Sequence, residues 1–229
     1  MPTVVDEEFG TITVRRSARA TQVRLRVAPD GKLRASMPVY APMFLLKRLI
    51  KSSRPQLRKM LEHSTPNTAY HDGQQIGKSH SLLVRSAPKL AIKRVKQHIQ
   101  VDLPPDLSLT SPEVVRELRD VVINALRIEA KSYLPKRLSY VAAQHGFTYE
   151  KVRFSHASSR WGSCSSTGTI SLNIALMKLP FELIDYVIIH ELAHTVEMNH
   201  SEQFWALVAQ GDPHYKQHRK LLKQESPSL

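Results

Sequence analysis

The stretch Val187-Ile188-Ile189-His190-Glu191-Leu192-Ala193-His194 restricts the folds open to this chain more than any other. Two histidines four residues apart fall on one face of a 3.6-residue helix with the carboxylate between them alongside, which is the geometry of a zinc site. The apolar run before them, Leu183-Ile184 and then Tyr186 to Ile189, anchors such a helix in a core and holds both imidazoles rigidly. Catalytic zinc takes three protein ligands and leaves a fourth position for water. His200 is the expected third ligand. Asn199 is expected to end the helix in a left-handed conformation that turns His200 back towards the metal.

A chain of 229 residues, 41% hydrophobic, has room for one large domain or two small ones. Its first residues lack a basic start and an apolar run, and no later segment approaches about eighteen uncharged apolar residues. A soluble, unexported, cytoplasmic protein with no membrane contact is therefore expected. The single cysteine, Cys164, excludes an intramolecular disulfide and fits a reducing compartment. The net charge of +13 is lopsided: residues 1–100 hold 19 Lys and Arg against 6 Asp and Glu, and residues 101–229 hold 14 against 14. Such asymmetry points to an N-terminal region that meets nucleic acid, nucleotide phosphates or an acidic protein. No aromatic RNA-binding signature or helix-turn-helix pattern singles out nucleic acid.

Alternation predicts an antiparallel meander of strands at Thr11–Val14, Gln22–Val27 and Leu33–Met37, with a Pro-Asp-Gly turn at 29–31. Val23, Leu25 and Val27 face one side; Arg24 and Arg26, joined by Arg15, Arg16 and Arg19, form a basic face on the other. That face reads first as the polar side of a half-buried sheet and second as an anion-binding surface. Pro42 and Pro55 open two amphipathic helical pieces expected to pack on the meander. Strands follow at Ser81–Val84, Leu90–Ile92 and His98–Val101 before Pro104-Pro105 breaks the chain. These features divide it into a basic β-rich region with one helical hairpin, 1–105, and a catalytic region, 106–229. A long helix starts at Ser111, its cap, with Pro112 in the first turn; Pro135 should kink or restart it and Gly146 should end it. Strands at 151–154, 161–166 and 169–173 lead into the histidine helix after Pro180. An antiparallel sheet there would offer an edge strand to an extended peptide. Ser201 is expected to cap a further helix containing Phe204, Trp205, Leu207 and Val208, and a last helix spans about 213–223. The expected class is α+β: an antiparallel β-rich region packed with a helix-plus-sheet catalytic domain.

Taken in order, Arg160-Trp-Gly-Ser-Cys-Ser165, Ile170-Ser-Leu-Asn173, Asp185-Tyr-Val-Ile-Ile-His-Glu-Leu-Ala-His194, Asn199-His-Ser201 and Phe204-Trp205 resemble the YgjP-like metal-dependent hydrolases, small relatives of the HExxH zinc peptidases. The resemblance covers most of the chain, including Arg15-Arg16-Ser17, Tyr70 with Asp72-Gly73, and Asp212-Pro213 with Tyr215. Two departures stand out. His156-Ala-Ser-Ser159 replaces a segment in which the family often has a Lys, and Ile76-Gly77-Lys-Ser-His80 replaces Leu-Gly-x-x-Tyr. The resemblance implies a zincin-like catalytic domain, usually a peptidase; a nucleoside-triphosphate hydrolase activity has also been proposed in the family.

The expected chemistry follows from the ligands. Three neutral imidazoles, His190, His194 and His200, leave Zn2+ its positive charge and bring the pKa of a bound water to about 7. Glu191 takes that water's proton and passes it to the leaving group. Arg160, His214 and Tyr215 are candidate donors to the developing negative charge, Arg160 and Tyr215 foremost. Trp161 and Trp205 read as core aromatics, Cys164 as a small buried hydrophobe, and Glu197 as an acceptor orienting His194 or a solvated carboxylate. A zinc-dependent metallopeptidase is the leading reading. A metal-dependent nucleoside triphosphate hydrolase is the first alternative, with an anionic protein, peptide or nucleotide as substrate in either case. The second is a nucleic-acid or acidic-partner binding protein with a structural zinc site, for which Glu191 would have no use.

Overall fold

The computed structural model describes residues 2–27, 33–64 and 70–228. The Pro-Asp-Gly turn and most of the polar stretch at 64–67 lie outside them. Two compact units are formed, Met1–Ala69 and Tyr70–Leu229. The expected division at 105/106 thus falls inside the second unit. The reason is apolar: Ile76, Leu82, Ile92, Ile99 and Val101 are buried in one core with the long helix and the histidine helix.

In the first unit, strands β1 (Thr3–Asp6), β2 (Gly10–Ser17), β3 (Arg24–Val27) and β4 (Leu33–Pro38) precede helices α1 (Met43–Ser52) and α2 (Arg54–Ser64). Strand order is β1-β2-β4-β3, so this is not the antiparallel meander of the sequence reading: β2 pairs β4 in parallel, and only β1/β2 and β3/β4 are antiparallel. Period-two alternation puts Ile12 and Val14 of β2 and Leu33, Ala35 and Met37 of β4 on one face, where they are buried with Leu46, Ile50 and Leu57 of the helices. Arg16 shares that parity and does not belong to the basic face; its guanidinium donates to the carbonyls of Val39 and Ala41.

In the second unit, β5 (Ser81–Ser86), β6 (Ala91–Val95) and β7 (His98–Leu103) form a sheet of order β5-β7-β6, and β8 (Lys151–Ser155), β9 (Gly162–Cys164) and β10 (Thr169–Asn173) form one of order β8-β10-β9. Each repeats the arrangement of β2, β3 and β4: the last strand lies between the other two, parallel to the first and antiparallel to the second. The sheets are therefore mixed, and the α+β class stands.

Between the two sheets in sequence runs α3 (Pro112–His145), whose Val114, Leu118, Val122, Ala125, Leu126, Ala130, Leu134, Leu138 and Val141 recur every three or four residues and are buried. It is continuous through Pro135, contrary to the expected restart. A proline removes one i to i−4 bond, but here the bereft carbonyl belongs to exposed Lys131, where water can serve it, while buried Ala130, Leu134 and Leu138 hold both sides to the core. Ser111 occupies the N-cap position without capping; its hydroxyl accepts from the Ser108 N–H at 3.0 Å. Gly146 ends the helix in the left-handed region (φ 69°), as its lack of a Cβ allows.

Within this unit the segment 76–80 finds its physical role. Glu129 of α3, almost wholly buried, accepts from the backbone N–H groups of Lys78 (2.6 Å), Ser79 (3.0 Å) and His80 (3.0 Å), from the Ser79 hydroxyl and from His80 Nδ1. Gly77 makes this possible, since a Cβ there would overlap the carboxylate. Burial alone would raise the Glu129 pKa; the hydrogen bonds from His80, Lys78 and Ser79 outweigh it and hold the group below the usual carboxylate range.

Candidate metal centre

Helix α4 (Phe181–Ala193) is apolar over most of its surface and correspondingly buried, with Leu183, Ile184, Val187, Ile188 and Leu192 in the core, while Glu182 is exposed and Asp185 pairs with Arg137. A helix so clamped cannot shift its two site residues, His190 and Glu191. The chain then turns over residues 194–200 and enters α5 (Glu202–Gly211), capped by the Ser201 hydroxyl, which accepts from the Phe204 N–H at 3.3 Å. Asn199 is not left-handed, because among the described residues only Lys96 and glycines have positive φ. Side chains and backbone of the turn do that work instead. The Thr195 hydroxyl donates to the Leu192 carbonyl at 2.7 Å, and the Glu197 carboxylate accepts from the Asn199 N–H at 3.1 Å.

This turn brings His190, His194 and His200 together, one potential ligand atom from each lying within 4.8 Å of the others. His200 Nε2 and His190 Nε2 stand 3.2 Å apart. Nitrogens of a tetrahedral site at the usual zinc–nitrogen distance are about 3.3 Å from one another, so the pair already has the spacing of two ligands to one ion. His194 Nδ1 lies 3.1 Å from the Glu197 carbonyl. Its proton donates there, which leaves the Nε2 lone pair for a metal. Glu197 thus orients His194 through its main chain, not its carboxylate. Burial, then the neighbouring imidazoles and Arg219, push the His190 pKa down to about 3, and burial lowers His194 as well. Both are neutral, ligand-competent imidazoles at neutral pH.

Beneath the three rings lies Phe204, fully buried, with centroids 5.0, 4.4 and 4.7 Å from His190, His194 and His200. Trp205 stacks on His200 at 5.7 Å and on Tyr215 at 5.5 Å, under the Arg219 guanidinium. Tyr215 opens α6 (Tyr215–Leu222), with His214 at its N-cap.

Glu191 is 6% exposed, and its Oε2 has no hydrogen-bond partner among the described residues. Desolvation raises its pKa to about 8, against the opposing charge of Arg160. A proton acceptor with that affinity suits general-base work near neutrality. It can sit there only because residue 162 is glycine: a Cβ on Gly162 would come within 2.6 Å of Oε1 and 2.7 Å of Cγ.

A sequence profile of the YgjP-like metallopeptidase domain matches residues 21–225, nearly the whole chain. The chain belongs to the YgjP-like metallopeptidase family. This YgjP-like protein is accordingly a metal-dependent hydrolase whose substrate class is protein or peptide, and its histidine triad could hold the metal ion. Among solved structures it is similar to the metallopeptidase zymogen abylysin of Pyrococcus abyssi, at 27% identity over 39% of this chain and 91% of that one, with a TM-score of 0.37. Comparison with curated proteins gives no match. No helix among the described residues is long and apolar enough to cross a membrane.

Three site residues escaped the sequence reading of this YgjP-like chain. Gly162 lies in the Trp-Gly-Ser-Cys motif, but a glycine signals close approach without naming its partner. Phe204 read as ordinary core. Asn173, fully buried, donates from Nδ2 to the Ala157 (2.6 Å) and Arg160 (2.9 Å) carbonyls and accepts from the Ala175 N–H (3.0 Å). It pins the loop that carries exposed Arg160 close enough to act on Glu191. Cys164, half-buried, lies near enough to Glu191 for that carboxylate to raise its pKa, which burial raises first.

Proposed function

We infer that this YgjP-like protein is a zinc-dependent peptidase of the HExxH type. The observation that carries the reading is the convergence of three imidazoles beside the helix that bears buried Glu191, whose Oε2 has no hydrogen-bond partner among the described residues. His190, His194 and His200 would hold the ion, which when bound supplies Lewis-acid activation of water and of the scissile carbonyl. Glu191 takes the proton of the attacking water on Oε2 and delivers it to the leaving amine, and its burial keeps its affinity for that proton high. Arg160, whose charge already reaches Glu191, offsets the negative charge that develops on the carbonyl oxygen. Tyr215 is assigned as a second donor to that oxygen, held in place by its stack on Trp205. Strand β9 is the edge of its sheet and carries Gly162 against Glu191, so an extended substrate pairing with β9 would run past the general base.

The test is mass spectrometry of unfolded proteins incubated with the zinc-loaded protein, beside metal analysis of the purified chain. New peptide ends made by wild type and lost in Glu191→Gln, with zinc retained by that variant and lost in His200→Ala, are expected. Full cleavage by Glu191→Gln would refute the role of the base. Glu191-dependent loss of nucleoside triphosphates without new peptide ends would replace the peptide with a nucleotide.

A further inference from the structure

A stack of rings joins the three imidazoles to α6. Trp205 of α5 stacks on His200 at 5.7 Å and on Tyr215 at 5.5 Å. Tyr215 and Arg219 are four residues apart on α6 and share one of its faces, which meets Trp205: the Arg219 guanidinium carbon stands 4.5 Å from the indole centre. The two Trp205 distances together place that carbon within about 10 Å of the centre of the His200 ring. A cation over an indole is held by the electron-rich face of the ring, so Arg219 is positioned although it is exposed.

Its N–H donors are not used within the chain. The ion pairs of the second unit join His80 to Glu129, Arg85 to Asp102, Arg137 to Asp185 and His218 to Asp212; Arg219 enters none of them, and no hydrogen bond among the described residues. The carboxylates on either side of the stack in sequence are engaged elsewhere. Asp212 accepts from His218 Nδ1 at 2.7 Å and from the His214 N–H at 2.9 Å, and Glu197 accepts from the Asn199 N–H at 3.1 Å. The Lys216 ammonium, 5.9 Å from the centre of the Tyr215 ring, adds a second positive charge to the stack. A positive charge at about one Debye length from three imidazoles that would hold a metal cation repels that cation and weakens its binding. An anionic group of the substrate lying between the two offsets that repulsion. Guanidinium forks take carboxylates in bidentate fashion at about 2.8 Å. Because an extended residue spans about 3.3–3.6 Å, a carboxylate on the imidazole side of Arg219 is no more than about two residues from a carbonyl at the imidazoles.

We propose that Arg219 sets the specificity of this protein by binding a substrate carboxylate close to the scissile bond, supplied by the C-terminal carboxyl group of a peptide or by an Asp or Glu side chain. That the carboxylate belongs to a peptide about to be cleaved rests on the peptidase reading; that Arg219 binds carboxylates beside the imidazoles does not.

The experiment measures fluorescence anisotropy with the full-length, zinc-loaded Glu191→Gln protein, so that no turnover is needed. The probes are N-terminally labelled peptides of about six residues on one neutral sequence: with a free C-terminus, with that terminus amidated, amidated with one internal Glu, and amidated with Gln in its place. Tighter binding of the free acid than of its amide assigns the site to a C-terminal carboxylate, and tighter binding of the Glu peptide than of the Gln peptide assigns it to a side chain. At least one of these preferences, of about tenfold or more, is expected. Adding Arg219→Gln should abolish it and change Kd for the two uncharged peptides less than about twofold, while zinc binds at least as tightly as before. Arg219→Lys keeps the charge without the fork; it should retain part of the preference, and it keeps the test open if Arg219→Gln does not fold. Lys220→Gln removes equal charge from α6 and should leave the preference in place. Neither preference in the parent protein, a preference that survives Arg219→Gln, or an equal loss in Lys220→Gln overturns the proposal.

A second arm uses the active, zinc-loaded chain. The same preference should appear in kcat/KM and be lost in Arg219→Gln. If wild type cleaves neither these peptides nor unfolded proteins, the peptidase reading fails while the binding result stands; if Arg219→Gln cleaves them with the preference of wild type, the role of Arg219 fails while the peptidase reading stands.

Discussion

Removing the charge of Glu191 should stabilise the metal-free protein above about pH 4.5, increasingly so up to about pH 8. In the fold the carboxyl is shut away from water under Gly162, which moves its titration midpoint from an ordinary 4.5 to about 8. Between those values the native chain keeps a proton that the unfolded chain has lost. Stability is then fully present below pH 4.5 and falls as pH rises to about 8. At about 1.4 kcal/mol per pH unit, the ceiling is about 5 kcal/mol. Glutamine has the shape of the protonated acid and never ionises, so Glu191→Gln should match wild type at pH 4.5 and exceed it by about 2–5 kcal/mol at pH 8. Urea unfolding in chelator, followed by tryptophan fluorescence from pH 4.5 to 8.5, measures this directly. Reloading metal should shrink the gap, because a cation beside the carboxylate favours its charged form. A constant difference across the pH range would refute the reasoning, since it would mean that water already reaches the buried carboxyl.

Gly162→Ala should force a Cβ against the Glu191 carboxylate, costing about 1–3 kcal/mol of stability and most of kcat with little change in metal content, measured by unfolding, turnover and metal analysis. Phe204→Ala removes the floor shared by the three imidazoles; calorimetric titration should show metal affinity reduced about tenfold or more, beside a core loss of about 3–5 kcal/mol. Glu129→Ala should cost about 3–5 kcal/mol near neutral pH by stripping His80 and the 78–80 backbone of their acceptor. Because the Glu129 pKa is depressed, its contribution is present above about pH 4.5 and is lost as pH falls through the lower folded value, so acid unfolding curves of variant and wild type should converge.

The histidine helix was legible because its information is local. An i, i+4 spacing fixes two rings on one face whatever the surroundings, and a flank that is apolar but for Glu182 and Asp185 favours a largely buried helix. That His200 joins the cluster was legible by elimination, as the nearest further histidine downstream. What closes the loop was not: the turn rests on Thr195 and Glu197, whose hydrogen bonds depend on the path of the chain after α4, and the local preference of Asn199 for a left-handed turn lost to them. Strand order failed for the related reason that alternation fixes which face a strand buries and says nothing of its neighbour. The segments Gly10–Ser17, Arg24–Val27 and Leu33–Pro38 alternate equally well in a meander and in the observed order. The division at Pro104-Pro105 was drawn from chain-breaking residues, although Ile99 and Val101 before the prolines and Val114 and Leu118 after them share one core.

Glu191 and Glu129 show how two buried carboxylates of one unit come to have opposite pKa shifts. Burial acts on both in the same direction, and the difference lies in what surrounds the oxygens. Around Glu129 the 78–80 loop supplies N–H and O–H donors, which stabilise the charged form until it becomes a fixed anchor between loop and helix. Around Glu191 the missing Cβ of Gly162 leaves the space that the carboxylate fills, and Oε2 meets no donor among the described residues. A satisfied carboxylate has no reason to accept a proton at neutral pH, whereas an unsatisfied one does. The protein tolerates the second because α4 is held by its buried apolar residues, so the strain of an unpaired acid is met by packing that its protonation state does not alter.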